Sequence, residues 1–475
     1  MNILFAASEL YPLAKTGGLA DVLGALPSAL QARGHSVSCA LPLYRHVMEC
    51  NPDLFDPGLT LEIPMGDRIL TGRIYQTTTP SGVTVFLVRR DEFFDRSGLY
   101  GSDLGDYQDT AERFIFFSKA VVALAGSISP DIDIIHAHDW QTGLVPAFAR
   151  AAGASFKSVF TIHNLGYQGS FWGIDFKLCN LPERYFAPDS GLEHYGHLNC
   201  LKAGITHADQ VTTVSPTYAN EIQTPAYGRG LDATLRANAA KLTGILNGID
   251  GALWSPATDP NIKENYTAET LAEGKAACRR NLLKRAGWPK DTADLLVGIV
   301  SRLDPQKGID LLRDSWPELL KMPVRFFVLA SGTPDLESWL KSAMDENPEK
   351  ISVDIGFSEK LAHRFQAGCD AILMPSRYEP CGLSQLYAQR YGTLPIVHGT
   401  GGLADTVTDW NAEARQGTGF VFRPCNRTAM LGAIRRAIEL YQDRAAWDSV
   451  ARMAMAQDFS WDVSAQRTEE VYARA

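Results

Sequence analysis

The chain has 475 residues, of which 45% are apolar and 21% charged, and a net charge of -9. That length exceeds one ordinary core and fits two domains of roughly 200 residues each. An acidic balance without clustered Lys and Arg excludes a phosphate-backbone partner, so no nucleic acid is expected, and no run approaches the roughly 20 apolar residues of a membrane span.

Strand-like runs alternate with helical patterns from the start. The segment opening Met1-Asn-Ile-Leu-Phe has no basic region and soon meets Glu9, Pro12 and Lys15, so it reads as a first strand over 3–7 rather than a signal peptide. A helix over 19–33 follows, then a strand at 83–88, a helix at 111–124, a strand at 132–136, a helix at 143–151 and strands at 158–162 and 211–214, the last before a helix from Pro216. The turn-rich stretch Ile245-Leu-Asn-Gly-Ile-Asp250 reads as a connection, which puts domains at 1–245 and 246–457. The second half repeats the scheme, with strands at 295–300, 325–330, 351–355, 371–374, 394–397 and 419–422. An amphipathic helix within 458–475 is expected to pack back across the hinge onto the first domain. The pattern predicts an α/β protein with two doubly wound, Rossmann-like domains facing a central cleft, because such sheets bind ligands at the carboxyl ends of their strands.

Eight cysteines (Cys39, Cys50, Cys179, Cys200, Cys278, Cys369, Cys381, Cys425) are scattered without a Cys-x-x-Cys pair, which suits reduced thiols and a cytoplasmic location. His136 and His138 share one side of an extended segment, yet no third ligand sits at a metal-like spacing, so no metal is expected. His194-Tyr-Gly-His197 reads as surface or core.

The hexapeptide Thr-Gly-Gly-Leu-Ala-Asp occurs twice, at Thr16 to Asp21 and at Thr400 to Asp405, each time after a β-like run and opening a helical pattern. Paired glycines let backbone N–H groups approach a ligand, and a helix N-terminus favours phosphate. Ser301-Arg302-Leu-Asp-Pro-Gln-Lys307-Gly308 puts two cations on a strand-to-helix loop, where they can neutralise a diphosphate. Glu379-Pro-Cys381-Gly382-Leu383-Ser384 again opens a helix after a strand, offering backbone donors and a carboxylate for hydroxyl groups. His136-Ala-His138-Asp139-Trp140 and His163-Asn164-Leu close two strands of the first domain and can hydrogen-bond a sugar. The loop from Asp91 through Phe94 and Tyr100 to Asp103, Asp106 and Tyr107 combines aromatic faces with carboxylates, as carbohydrate sites do. A nicotinamide enzyme would want Gly-x-Gly-x-x-Gly after the first strand, which this chain lacks.

These motifs, from Lys15-Thr-Gly-Gly-Leu-Ala-Asp21 through Asn247-Gly-Ile-Asp250 to the second hexapeptide, resemble those of the bacterial glycogen synthase and plant starch synthase family along nearly the whole chain. The resemblance implies a GT-B fold and retaining transfer of glucose from ADP-glucose to the non-reducing end of an α-1,4-glucan. It implies no cofactor, with ADP-glucose and glycogen as the partners. Carried over residue by residue, Lys15, His163, Arg302, Lys307 and Glu379 form the catalytic set: Arg302 and Lys307 hold the donor phosphates, Lys15 and Gly18 assist, and His163, Asn247 and Glu379 hold the glucose. Phe357 stands where the family stacks an aromatic on adenine, and Gly17, Asp21, His138, Asp139, Asn164, Cys381, Gly382, Leu383 and Ser384 line the substrate site. A broader group of GT-B transferases has a second Glu eight residues after the first, where this chain has Tyr387; Phe94 stands where some members have Tyr near the acceptor. A UDP-glucose-dependent or sucrose-forming transferase, an epimerase and a non-catalytic glucan-binding homologue are the rival readings.

Overall fold

The computed structural model describes residues 1–51, 54–102, 105–128 and 130–475. It divides into two compact units, one comprising Met1–Gly248 with Trp461–Ala475 and the other Ile249–Ser460.

The first unit is built on a nine-stranded sheet. Its strands in chain order are β1 (Asn2–Ala6), β2 (Ser36–Pro42), β3 (Thr60–Met65), β4 (Arg68–Thr78), β5 (Thr84–Arg89), β6 (Ile134–His138), β7 (Lys157–Ile162), β8 (Gln210–Thr213) and β9 (Leu242–Gly244). Their spatial order is β9-β8-β7-β6-β1-β2-β5-β4-β3. β3 and β4 run antiparallel, and every other neighbouring pair except β4–β5 is parallel. β1 and β6 are buried almost throughout, as expected of parallel strands covered on both faces, whereas β3 alternates buried and exposed residues because one of its faces meets water. β6 extends to His138, two residues beyond the expected end, and its preceding Asp133 is spent accepting the backbone N–H of Asn2 at 2.7 Å.

Helix α1 (Gly18–Ala32) packs back from β1, burying Leu19, Val22, Leu23, Leu26 and Leu30 at helical spacing. The C-terminal helix (Trp461–Tyr472) belongs to this unit. Ser464 Oγ donates to the Leu246 carbonyl at 2.5 Å, and the Arg33 guanidinium meets Asp462 and Glu469, each at 2.8 Å.

The second unit carries an all-parallel six-stranded sheet: β10 (Leu295–Leu303), β11 (Val324–Gly332), β12 (Ile351–Ile355), β13 (Ala371–Met374), β14 (Leu394–His398) and β15 (Phe420–Phe422), ordered β12-β11-β10-β13-β14-β15. All six fall on the apolar runs read from sequence. Phe326 and Phe327, on opposite faces of β11, are each at most 1% exposed, and burial of such a ring contributes about 1.5–3 kcal/mol. Trp254 is stacked between His363 and Tyr387, with ring centroids at 3.7 and 3.8 Å, and His363 Nδ1 and the Tyr391 hydroxyl both meet the buried Asp259 carboxylate, at 2.7 and 2.6 Å. Tyr387 therefore has a packing role of its own.

Both sheets start in the middle, grow to one side and then return to the other side of the first strand. The reversal falls between β1 and β6 in the first unit and between β10 and β13 in the second. At such a switch point the loops leaving neighbouring strands part, opening a crevice at their carboxyl ends.

Candidate active site

In the first unit the loop after β1 is organised by Glu9, which is 4% exposed. Its carboxylate accepts from Thr16 N and Oγ1, both at 2.6 Å, from Gly17 N at 3.0 Å and from the Tyr100 hydroxyl at 2.8 Å. One buried carboxylate thereby spends its lone pairs shaping the glycine loop. Lys15 Nζ meets Asp21 at 2.6 Å on the solvent side. A Cβ built on Gly17 or Gly18 would meet nothing within 4 Å, so nothing in the protein's own packing demands glycine there.

The loop after β6 begins with Asp139, whose backbone takes φ 56°, sparsely populated by residues other than glycine. Its carboxylate accepts the His163 N–H at 2.7 Å and its own N–H reaches the Thr161 carbonyl at 2.9 Å, so it ties the ends of β6 and β7 together. Burial pushes its carboxyl up to about 7, although the N–H groups of His163 and Asn164 pull the other way. His138 is 1% exposed and stacks on His136 at 4.2 Å; its Nδ1 lies 2.9 Å from His163 Nε2. His136 lies between the Tyr472 hydroxyl at 2.7 Å and Thr161 Oγ1 at 2.6 Å. Asn164 Oδ1 accepts the Gly166 N–H at 2.9 Å, and Asn247 is half-buried beside Gly248, whose Cβ would strike Trp461.

The aromatic loop is placed differently from its sequence reading. Phe94 is fully buried, edge-on to Tyr44 and Phe117, so it offers no face to an acceptor sugar. Phe93 is also core, Tyr100 is engaged with Glu9, and Asp103 lies outside the described residues. His194 and His197 face each other on a small three-stranded sheet, away from His136 and His138 along the chain. Among the described residues no group of three His, Cys, Asp or Glu side chains is placed to hold a metal ion.

In the second unit the loops after β10 and β13 are fastened to each other. Gly308 takes φ 67°, and a Cβ there would sit 2.2 Å from the Pro375 carbonyl. Arg377 N donates to the Gln306 carbonyl at 2.8 Å, Gln306 Nε2 to the Tyr378 carbonyl at 3.2 Å, and the Arg377 guanidinium forks onto Asp310 at 2.8 and 2.5 Å. This clasp brings Lys307 Nζ within 2.6 Å of Glu379 Oε2, which also accepts from Ser376 Oγ at 2.9 Å. His398 Nδ1 lies 2.8 Å from the Ser376 carbonyl. Arg302, more than half exposed, has Asp304 at 3.2 Å.

Cys381 is buried, Gly382 takes φ 75°, and Leu383 and Ser384 are half-buried at the start of helix α2 (Ser384–Arg390). The second hexapeptide opens helix α3 (Gly401–Thr406), and its glycines press on this loop: a Cβ on Gly401 would lie 2.0 Å from the Glu379 carbonyl, and one on Gly402 2.1 Å from the Cys381 carbonyl. Phe357, just after β12, is 79% exposed. Glu9, Ser376, His398 and Tyr472 were not singled out from sequence. A buried acid shortly before a Thr-Gly-Gly turn, and a Ser three residues before Glu379, were the local signals available.

Residues 2–237 match the starch synthase catalytic domain, and residues 282–453 match glycosyl transferases group 1. A glycogen synthase of Syntrophotalea carbinolica is 45% identical, over 100% of this chain and 99% of its own length. Another from an Anaeromyxobacter species is 47% identical, with 99% of each covered. The chain belongs to the glycogen synthase and starch synthase family. The solved catalytic domain of starch synthase IV from Arabidopsis thaliana, bound to ADP and acarbose, superposes with a TM-score of 0.89 at 33% identity, covering 100% of this chain and 99% of that one. This member of the family is accordingly a glycosyltransferase with the GT-B fold, acting on a sugar nucleotide and a glucan. A sucrose-phosphate synthase from Thermosynechococcus elongatus, at TM-score 0.60 and 16% identity, shares the fold alone. No helix among the described residues is long and apolar enough to cross a membrane.

Proposed function

We propose that the chain elongates an α-1,4-glucan at its non-reducing end with glucose from ADP-glucose, retaining the anomeric configuration. The observation that supports this most is the Lys307–Glu379 pair at 2.6 Å, set at the switch point of the second sheet beside Arg302. Breaking the glucose–phosphate bond builds positive charge on the sugar and negative charge on the departing ADP. Lys307 and Arg302 answer the second charge, and a preorganised donor of this kind contributes about 2.7–4 kcal/mol to lowering the barrier. Glu379 is held by Lys307 and Ser376, and in this reading it accepts hydrogen bonds from sugar hydroxyls rather than attacking the anomeric carbon. Retention then follows from departure and attack on the same face, since double displacement requires a free carboxylate on the opposite face. In the first unit, Lys15 and the open glycines assist at the phosphates, and His163 and Asn247 hold the glucose. Phe357 offers its exposed ring to adenine.

Incubation with glycogen and radiolabelled ADP-glucose, with UDP-glucose in parallel, tests the reading: label enters polymer preferentially from ADP-glucose. Preference for UDP-glucose would reassign the donor, and no incorporation from either would reject the activity. No metal is assigned a role, so incorporation is expected to survive EDTA. Activity lost on chelation and restored by one divalent ion would overturn the roles given to Arg302 and Lys307.

A further inference from the structure

His163 has two ring nitrogens, and the protein itself occupies one of them. Nε2 lies 2.9 Å from His138 Nδ1, which leaves Nδ1 of His163 as the nitrogen available to a ligand. Whether that nitrogen donates or accepts depends on where the single proton of a neutral imidazole sits, and this is set by the hydrogen bond the other nitrogen makes.

Burial holds His163 and His136 down at about 3 and His138 well below the ordinary imidazole value, so all three rings are neutral at physiological pH. The His138–His163 contact then has one donor and one acceptor, in either of two arrangements. If His163 Nε2 donated, the His138 proton would sit on its Nε2, a buried atom with no hydrogen-bond partner. A buried N–H without an acceptor is rare, because it loses its hydrogen bond to water and gains none in return. If His138 Nδ1 donates, its Nε2 is left only as a bare lone pair, and His163 carries its own proton on Nδ1.

The ring of His138 is held in contact with two other rings. Its centroid lies 5.4 Å from that of Phe5, with 18° between the planes, and 4.2 Å from that of His136, with 30°. Its backbone N–H and carbonyl both engage Thr142 Oγ1, at 2.7 and 2.8 Å. His136 is fixed in turn by Tyr472 and by Thr161, whose hydroxyl continues to Thr212 at 2.5 Å.

We propose that His138 is a positioning residue that sets the tautomer of His163, so that His163 presents an Nδ1–H donor to a hydroxyl oxygen of the transferred sugar. The sugar contact rests on the function proposed above; the tautomer rests on the packing alone. The full chain labelled with ¹⁵N-histidine, without substrate and at neutral pH, reports the tautomer by long-range ¹H–¹⁵N correlation, with His163→Gln assigning the resonance. His163 is expected as Nδ1–H, and finding Nε2–H there overturns the proposal. In kinetics with glycogen, His138→Ala lowers kcat about tenfold to a hundredfold with the acceptor KM unchanged, and the His163 resonances move towards a tautomer mixture. His138→Asn, whose amide N–H can replace the lost donor, restores kcat to within about threefold and returns His163 to Nδ1–H. Equal losses in the two variants, or an Ala variant with native tautomer and native kcat, would overturn it. If His138→Ala does not fold, the native spectrum and the Asn variant decide. A chain that shows Nδ1–H at His163 yet transfers no glucose refutes the function and leaves the tautomer assignment standing.

Discussion

The two copies of Thr-Gly-Gly-Leu-Ala-Asp are identical in sequence and different in physics. In the first, side-chain positions at Gly17 and Gly18 look into empty space; in the second, those at Gly401 and Gly402 are filled by the carbonyls of Glu379 and Cys381. The first copy carries its own cation, Lys15, paired with Asp21 inside the motif, and a neighbouring acid, Glu9, that shapes it. The second has Gly399 in the place of Lys15, with the Arg423 guanidinium where a Cβ would stand, and it shapes an acid, Glu379, whose cation Lys307 comes from another loop. Repetition of a motif thus preserves a backbone path while the reason for each glycine changes. In one copy glycine borders open space, and in the other it lets two loops touch.

The largest effect should fall on the cation that reaches its acid through space. Lys307→Gln is expected to lower kcat by roughly two to three orders of magnitude with a smaller change in the donor KM, because in the proposed function the ammonium stabilises charge that develops as ADP leaves. Lys15→Gln should cost less, its pair with Asp21 being solvent-exposed. Steady-state kinetics at saturating glycogen checks both, and a rise in KM alone for Lys307→Gln would make it a simple binding contact. Next comes Gly402→Ala, which forces a methyl against backbone that cannot give way. A loss of about 1–3 kcal/mol in urea unfolding, together with lost activity, is expected from such overpacking.

Glu9→Gln replaces an acceptor of four hydrogen bonds by a group that must turn an N–H towards some of the same donors. A destabilisation of about 1–3 kcal/mol and a raised donor KM should follow, measured by unfolding and kinetics. The smallest change in stability belongs to Gly17→Ala, within about 0.5 kcal/mol of the parent, because the methyl meets nothing. Its donor KM should nonetheless rise severalfold; an unchanged KM would mean that the open space beside the first copy is not where the donor lies.

The fold was legible where strands are buried on both faces, since β1, β6, β10 and β11 are each built round an apolar run, at 3–6, 134–135, 295–300 and 326–330. It was not legible at β3 and β4, whose antiparallel pairing leaves one face wet and admits Arg68, Thr71 and Arg73. β2 was missed too, its run broken by two serines and closed by Pro42. Motif residues marked out the candidate site because glycines, cations and histidines at strand ends are locally unusual. Their supports did not, being distant in sequence: Tyr100 stands 91 residues from Glu9 and Tyr472 stands 336 from His136. Phe94 went astray for the same reason, since an aromatic in a polar loop gives no sign that Tyr44 and Phe117 will enclose it.

The membership of Trp461–Ala475 in the first unit has a consequence for synthesis on the ribosome. The second unit is an insertion into the first, so the strands of the larger sheet emerge and then wait while about 200 further residues are made, roughly 10–40 s at ordinary elongation rates. During that interval His136 lacks its Tyr472 partner and the Leu246 carbonyl lacks Ser464. The unit made first is therefore the unit finished last, and its unclosed face is what a nascent-chain chaperone would meet.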